Sequence, residues 1–79
     1  MDVELIRKHR LAHPFEPFTV VLKDGRHFPI TQPYYLATSM SGAEVAVSAG
    51  PRQFEHFAAD DVDRIEPGVN GAIGTGPNA

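Results

Sequence analysis

The residues of this sequence that come closest to a metal site are His9 and His13. Side chains four residues apart share one face of a helix, as two ligands of the same ion would. A tetrahedral site needs a third and usually a fourth ligand, and no spacing assigns His27 or His56 to that role. Because His13 directly precedes Pro14, where a helix should be ending, we interpret the pair as partly exposed residues beside the core and expect no metal.

Four carboxylates near the C-terminal end are the second candidate for chemistry: Asp60, Asp61, Asp63 and Glu66. Paired carboxylates act as acid and base only where burial or mutual repulsion shifts their pKa values. These lie in an expected solvent-facing turn, so solvation and helix capping are favoured, with a loose cation site as the alternative. The sequence has no cysteine, no Gly-x-Ser-x-Gly motif and no glycine-rich phosphate loop. We therefore predict that the protein is not an enzyme and uses no cofactor.

A basic cluster and a pair of tyrosines are candidates for contact with a partner. The cluster of Arg7, Lys8 and Arg10 either meets phosphate or acidic groups or complements the negative end of a helix dipole, and the second interpretation is favoured. Of Tyr34 and Tyr35, one should face inward and the other outward. An exposed tyrosine can stack on a base or anchor a protein, but a ring that covers one end of the core is more common.

Length and charge limit the class of protein. The chain has 79 residues, enough for one small domain with a marginal core, which self-association often supports when disulfides are absent. Its apolar runs are far shorter than the roughly 20 residues that span a bilayer. The chain starts with Met-Asp-Val-Glu, whereas a secretory signal needs a basic start and then an apolar block. Residues 14–79 contain eight carboxylates and only four lysine or arginine side chains. This excess of negative charge disfavours nucleic acid as a general partner. We predict a cytoplasmic protein with no membrane segment.

The elements that must position these side chains begin with a helix. Asp2 is a good N-cap, and apolar residues at helical spacing continue to about Ala12, before Pro14 ends the helix. Short alternating runs joined by glycine turns then predict strands, and Asp24-Gly25 favours a hairpin with a type I′ turn. Residues 67–79 are rich in glycine, proline and asparagine, so we predict a disordered tail after a single domain of residues 1–66.

Strands at intervals of roughly 8–12 residues predict a mostly β fold in which an N-terminal helix precedes a small five-stranded antiparallel barrel. Closure is attractive because it removes the exposed edges of a small sheet. The predicted core comprises Leu5, Ile6, Phe18, Val20, Leu22, Phe28, Ile30, Leu36, Val45, Val47, Phe54 and Ile65.

Two resemblances bear on this fold. Residues 14–18, Pro-Phe-Glu-Pro-Phe, with the hairpin sequence of residues 22–26 and Ile65-Glu66 near the end, resemble short bacterial proteins of unknown function over about residues 3–66. That resemblance implies no activity. A weaker one is to the Sm-like, SH3-type small β-barrels, which also begin with a helix and carry a Leu-x-Asp/Asn-Gly hairpin, similar to residues 20–26.

The RNA-chaperone branch of the Sm-like proteins has an aromatic-Lys-His stretch on a late strand. Phe54-Glu55-His56 falls in a comparable place, but Glu55 stands where a lysine would meet phosphate. The glycine usual in the second strand and the Asp-x-x-x-Asn loop are missing. The resemblance therefore implies a barrel more strongly than it implies RNA binding. The rings formed by that family also imply oligomers.

These patterns predict a non-enzymatic interaction or assembly module that self-associates or holds a protein through a strand edge or the helix–barrel junction. The alternative is an Sm-like RNA-binding protein. The candidate residues for contact with a partner or with RNA are Arg7, Lys8, Arg10, Tyr34, Tyr35 and His56.

Overall fold

The computed structural model describes residues 2–69, which form one short helix and six strands. Two 3-10 helices, Pro33–Tyr35 and Ala59–Asp61, precede the third and the sixth strand. Within the described range no helix has the length and apolar character needed to cross a bilayer. In chain order the elements are α1 Val3–Arg10, β1 Phe18–Leu22, β2 His27–Ile30, β3 Leu36–Thr38, β4 Glu44–Gly50, β5 Gln53–Ala58 and β6 Val62–Pro67.

The strands form two antiparallel sheets of three strands each, in the orders β2-β1-β6 and β3-β4-β5. The mostly β class with an N-terminal helix is confirmed, but the prediction of a five-stranded Sm/SH3-like barrel is wrong. Proline explains the difference. Pro29 has no amide hydrogen for a ladder, and Pro33 begins a 3-10 helix, so the chain leaves β2 at Ile30 and re-enters a sheet only at Leu36.

The hairpin between β1 and β2 is confirmed, but its turn is not type I′. Gly25 has a φ of 97°, whereas Asp24 does not adopt a positive φ. The Gly25 amide donates to the Leu22 carbonyl at 3.0 Å, and the Leu22 amide donates to the Arg26 carbonyl at 2.8 Å. This is a three-residue loop made from a type I turn and a left-handed glycine bulge, which requires positive φ at one residue only.

The core lies between the two sheets and under the helix. Of the twelve predicted core residues, nine are buried, Ile65 packs partly buried against them, and Leu5 and Phe54 are exposed. Phe57, Ala59 and Val62 also belong to the core cluster. The nine confirmed residues are Ile6, Phe18, Val20, Leu22, Phe28, Ile30, Leu36, Val45 and Val47.

The exposure of Phe54 follows from the parity of β5. Successive side chains of a strand point to opposite faces, so Phe54 and Phe57, three residues apart, cannot both face inward. Phe57 lies opposite the buried Val45 and stacks on Phe28, with ring centroids 5.8 Å apart. Phe54 lies opposite Ser48 on the outer face. The partner strand therefore decides which phenylalanine is buried.

Specific hydrogen bonds mark both ends of the domain. The Asp2 carboxylate accepts from the Glu4 amide at 2.9 Å, which confirms the predicted N-cap, and α1 ends at Arg10, two residues before the predicted Ala12. At the other end β6 continues through Pro67, and Gly68 donates its amide to the Pro17 carbonyl at 2.9 Å. The remainder of the predicted tail, residues 70–79, lies outside the described residues.

Candidate partner-binding groove

A groove lies where the end of β2 and the first 3-10 helix meet the turn between β4 and β5. Its volume is about 490 Å³, within the usual range of ligand pockets. The apolar part of the lining comes from two aromatic rings and two prolines, and the polar part from two hydroxyls and one cation. These residues are Tyr35, Phe54, Pro29, Pro51, Thr31, Ser48 and Arg52.

Phe54 is the most unusual part of this lining, because 68% of its surface is exposed. A phenylalanine left in water forgoes a favourable transfer free energy of roughly 1.5–3 kcal/mol relative to a buried ring. Single exposed apolar residues are ordinary on protein surfaces, but an aromatic ring beside a concave apolar groove marks a surface suited to binding.

Arg52 is the second unusual residue of the lining. Its φ of 60° is the only positive φ at a non-glycine residue within residues 2–69. It follows Pro51 in the two-residue loop between β4 and β5, and this order, proline and then a positive φ, is typical of a type II turn. Glycine or asparagine would fit that position with less strain. An arginine in a sparsely populated conformation motivates a functional hypothesis for its side chain.

The charge of Arg52 is not neutralised by the fold. The ion pairs found among residues 2–69 involve Arg7, Arg26 and Arg64, and none involves Arg52. A guanidinium with five donors at the edge of an apolar groove is well suited to a carboxylate on a ligand.

The two arginines of the predicted basic cluster are held by the fold. Arg10 donates through Nε to the carbonyls of Leu36, at 2.8 Å, and Pro33, at 3.2 Å. Arg7 donates to the Thr38 hydroxyl and to the Ser39 carbonyl, both at 3.2 Å, and forms an ion pair with Glu4. These bonds tie α1 to β3. Lys8 is exposed on the same helix.

The remaining predicted contact residues do not gather at one site. Tyr35 is partly buried, packs against the core and lines the groove. Tyr34 is 73% exposed, with its ring at right angles to that of Tyr35 and the two centroids 5.2 Å apart. His56 is exposed on the outer face of β5, opposite Ala46. Of the six predicted residues, Tyr35 alone contributes to the groove lining.

The histidines and carboxylates considered for metal or acid–base chemistry do not form a common site. The His9 ring lies against Phe18, with centroids 5.3 Å apart, and His13 is exposed. Arg64 bridges Asp63, at 2.6 Å, and Glu66, at 2.8 Å, and these two acceptors raise the pKa of Arg64. Within residues 2–69 no group of three or more histidine or acidic side chains is arranged to hold a metal ion.

Asp24 has a lowered pKa for a reason that can be tested. Its carboxylate accepts from the Arg26 amide at 3.0 Å, which is the main cause, and from the Arg26 Nε at 2.9 Å. Because the folded pKa is depressed, the contribution of this carboxylate to stability is present above its unfolded pKa and is lost as pH falls through its folded pKa. We expect carboxyl-carbon NMR titration to give an Asp24 midpoint below the ordinary value.

The variant Arg26→Gln separates the two causes of that shift. It keeps the backbone amide at position 26 and removes the guanidinium, so the Asp24 midpoint should rise only part of the way toward its ordinary value. A complete return in Arg26→Gln would assign the shift to the guanidinium and contradict the assignment to the amide. An ordinary midpoint in the native protein would contradict both.

Comparison with known protein families, characterised proteins and solved structures finds no match to this chain. The assignment of the site therefore depends on its geometry. Two of its residues, Phe54 and Arg52, were not predicted as contacts from the sequence. The Pro51-Arg52 pair between two alternating runs was the available signal, since it places a cation in a tight loop beside an aromatic residue.

Proposed function

We propose that this protein is a non-enzymatic interaction module that holds an extended segment of a partner protein in the groove between β2 and the β4–β5 turn. The observation that carries the proposal is the exposed ring of Phe54 on the wall of that groove. The segment presents an apolar side chain to Phe54 and Tyr35 and a carboxylate to Arg52.

The chemistry of the lining supports this occupant. Aromatic rings and prolines offer flat, rigid apolar surface, which receives an extended segment with little loss of side-chain entropy. Thr31 and Ser48 add hydroxyls that can donate to or accept from a peptide backbone. The cation of Arg52, without an ion-pair partner among residues 2–69, complements one acidic residue.

A protein segment fits these observations better than RNA does. Phosphate contacts dominate the affinity of nucleic-acid binders and require several free cations. Arg7 and Arg10 bond to the fold itself, and the chain has a net charge of −3. Sm-like RNA binding remains the alternative function, and the binding experiment below includes it as a possible outcome.

The proposal is tested by selecting ligands from a library of random displayed peptides on the immobilised protein and measuring the affinity of the enriched peptides. We expect enriched peptides to pair an apolar residue with an acidic one. Phe54→Ala should weaken their binding by about tenfold or more, the effect of losing a central aromatic contact. Arg52→Gln should weaken binding less and reduce its dependence on salt.

Leu11→Ala is the matched control, because Leu11 is 67% exposed and lies outside the groove. It should leave peptide affinity unchanged. Enriched peptides that bind Phe54→Ala as tightly as the native protein would overturn the proposal. So would failure to enrich any peptide while single-stranded RNA binds at low salt, and that result would favour the alternative.

A further inference from the structure

We infer that this protein forms a symmetric dimer in which the β5 strands of two copies pair antiparallel, with His56 at the two-fold axis. The inference concerns the free edge of the sheet β3-β4-β5, on the side of β5 away from β4. The axis at His56 lies outside the groove lining, whereas Phe54 and Arg52 belong to both surfaces.

The four sheet edges within residues 2–69 differ in how they are protected. Edge strands that carry proline or charge, or that a helix covers, resist pairing with another chain. The edge at β2 contains Pro29, and the edge at β6 contains three charged residues and ends at Pro67. The edge at β3 has only three residues, and two arginines of α1 bond to carbonyls of β3 and the residue after it.

β5 is less protected than the other three edges, with one carboxylate as its only edge-protecting feature. Its six residues, Gln53–Ala58, contain no proline and no lysine, and its pairing within the described chain is with β4 alone. Its one acidic side chain, Glu55, points toward the inner face, opposite Val47, and approaches Arg26 at 3.8 Å. A strand of this kind is a ready template for a second strand.

The sequence of β5 favours a two-fold axis at His56 over one at the neighbouring Glu55. Residues directly opposite each other in an antiparallel pair share a face, so a two-fold axis must pass beside one residue of the strand. An axis at Glu55 sets the two Glu55 carboxylates opposite each other, which is unfavourable. An axis at His56 sets Glu55 opposite Phe57 and Phe54 opposite Ala58 of the second copy.

This register complements both size and charge. The large ring of Phe54 meets the small Ala58 of the second copy on the outer face, which covers part of an exposed apolar surface. Arg52, just before β5, lies at the same end of the strand pair as Asp60 of the second copy, which follows β5 by two residues, and their opposite charges attract. Neither Arg52 nor Asp60 has an ion pair among residues 2–69, and symmetry forms this contact twice.

A contact with Asp60 does not exclude a ligand carboxylate at Arg52. A guanidinium can bridge two carboxylates, as Arg64 does with Asp63 and Glu66 in this fold. Arg52 can therefore contact a ligand in the groove and Asp60 of the second copy together.

The test is a charge exchange at the two-fold axis, measured by sedimentation equilibrium over a range of concentrations. In the native protein we expect a monomer–dimer equilibrium. His56→Lys and His56→Asp each place two like charges opposite each other and should weaken self-association by about tenfold or more. An equimolar mixture of the two variants should recover the dimer, because lysine then faces aspartate.

Thermal unfolding of each variant checks that the exposed substitution leaves the fold intact, and His13→Lys, in the loop after α1, should leave self-association unchanged. A native protein that is monomeric at every concentration would overturn the inference. A mixture that stays monomeric would also overturn it, since the axis would not pass through His56. Assemblies larger than a dimer would replace it with a head-to-tail arrangement of strands.

Discussion

Ile6→Ala should remove about 2–5 kcal/mol from the free energy of unfolding, the usual cost of deleting a fully buried branched side chain. Ile6 is the only buried residue of α1 and has no exposed surface. It joins the core cluster with Phe18 and Leu36, so it is the main apolar link between the helix and the sheets. A domain of this size is stable by only about 4–12 kcal/mol, and the variant should be partly unfolded near physiological temperature.

Leu5→Ala is the matched control for this prediction. It removes a side chain of the same volume from the preceding position, where 48% of the surface is exposed. The loss in Leu5→Ala should be about 1 kcal/mol or less, because about half of the Leu5 surface is already in water in the folded protein. Urea unfolding at equilibrium gives both values. Equal losses of unfolding free energy in the two variants would show that Leu5 packs as closely as Ile6, contrary to the burial of Ile6 alone.

The same pair of residues marks how much of the helix could be predicted from sequence. The N-cap at Asp2 and the stop before Pro14 are local signals. The helix begins at Val3, directly after the predicted N-cap. Leu5 and Ile6 both fit an apolar stripe, since adjacent residues lie only about 100° apart on a helix. Which of them enters the core depends on where the sheets lie, and helical spacing alone does not determine that.

Alternation predicted many of the buried side chains within single strands. It failed to predict how the strands assemble into sheets, which depends on long-range pairing. Alternation in β4 identified the buried Val45 and Val47. In β1 it identified Val20 and Leu22 but missed Thr19 and Val21, which are buried on the opposite face. The barrel was wrong because alternation measures local exposure, while closure depends on whether a strand continues from one sheet into the next. Pro29 and the 3-10 helix Pro33–Tyr35 interrupt that continuity.

The candidate groove was the least predictable feature. Sequence reasoning grouped Arg7, Lys8 and Arg10 because they are close along the chain, but two of these side chains serve to dock α1 on β3. Phe54 and Tyr35 are far apart in sequence and meet only when the β4–β5 turn approaches the first 3-10 helix. Juxtaposition of this kind depends on tertiary packing, which local patterns do not encode.

Gly42→Ala should lower the free energy of unfolding by about 2–5 kcal/mol through two separate effects. Gly42 has a φ of 79°, a left-handed conformation that costs an L-residue roughly 1–2 kcal/mol. A Cβ at this position would also lie 2.8 Å from Cγ1 of Val3, and such overpacking typically costs about 1–3 kcal/mol. Because Val3 begins α1 and Gly42 lies in the turn before β4, the clash would push the helix away from the sheet.

Two further variants separate the backbone effect from the clash. Gly25 has a φ of 97° with open space around its would-be Cβ, so Gly25→Ala should show the conformational cost alone, about 1–2 kcal/mol. Val3→Ala should remove the obstructing methyl groups, so the added cost of Gly42→Ala in that background should fall to the value measured at Gly25. The coupling in this double-mutant cycle is the cost of the Val3 contact. Additive losses would instead mean that Gly42 is required for its backbone conformation alone, and that α1 can move aside without cost.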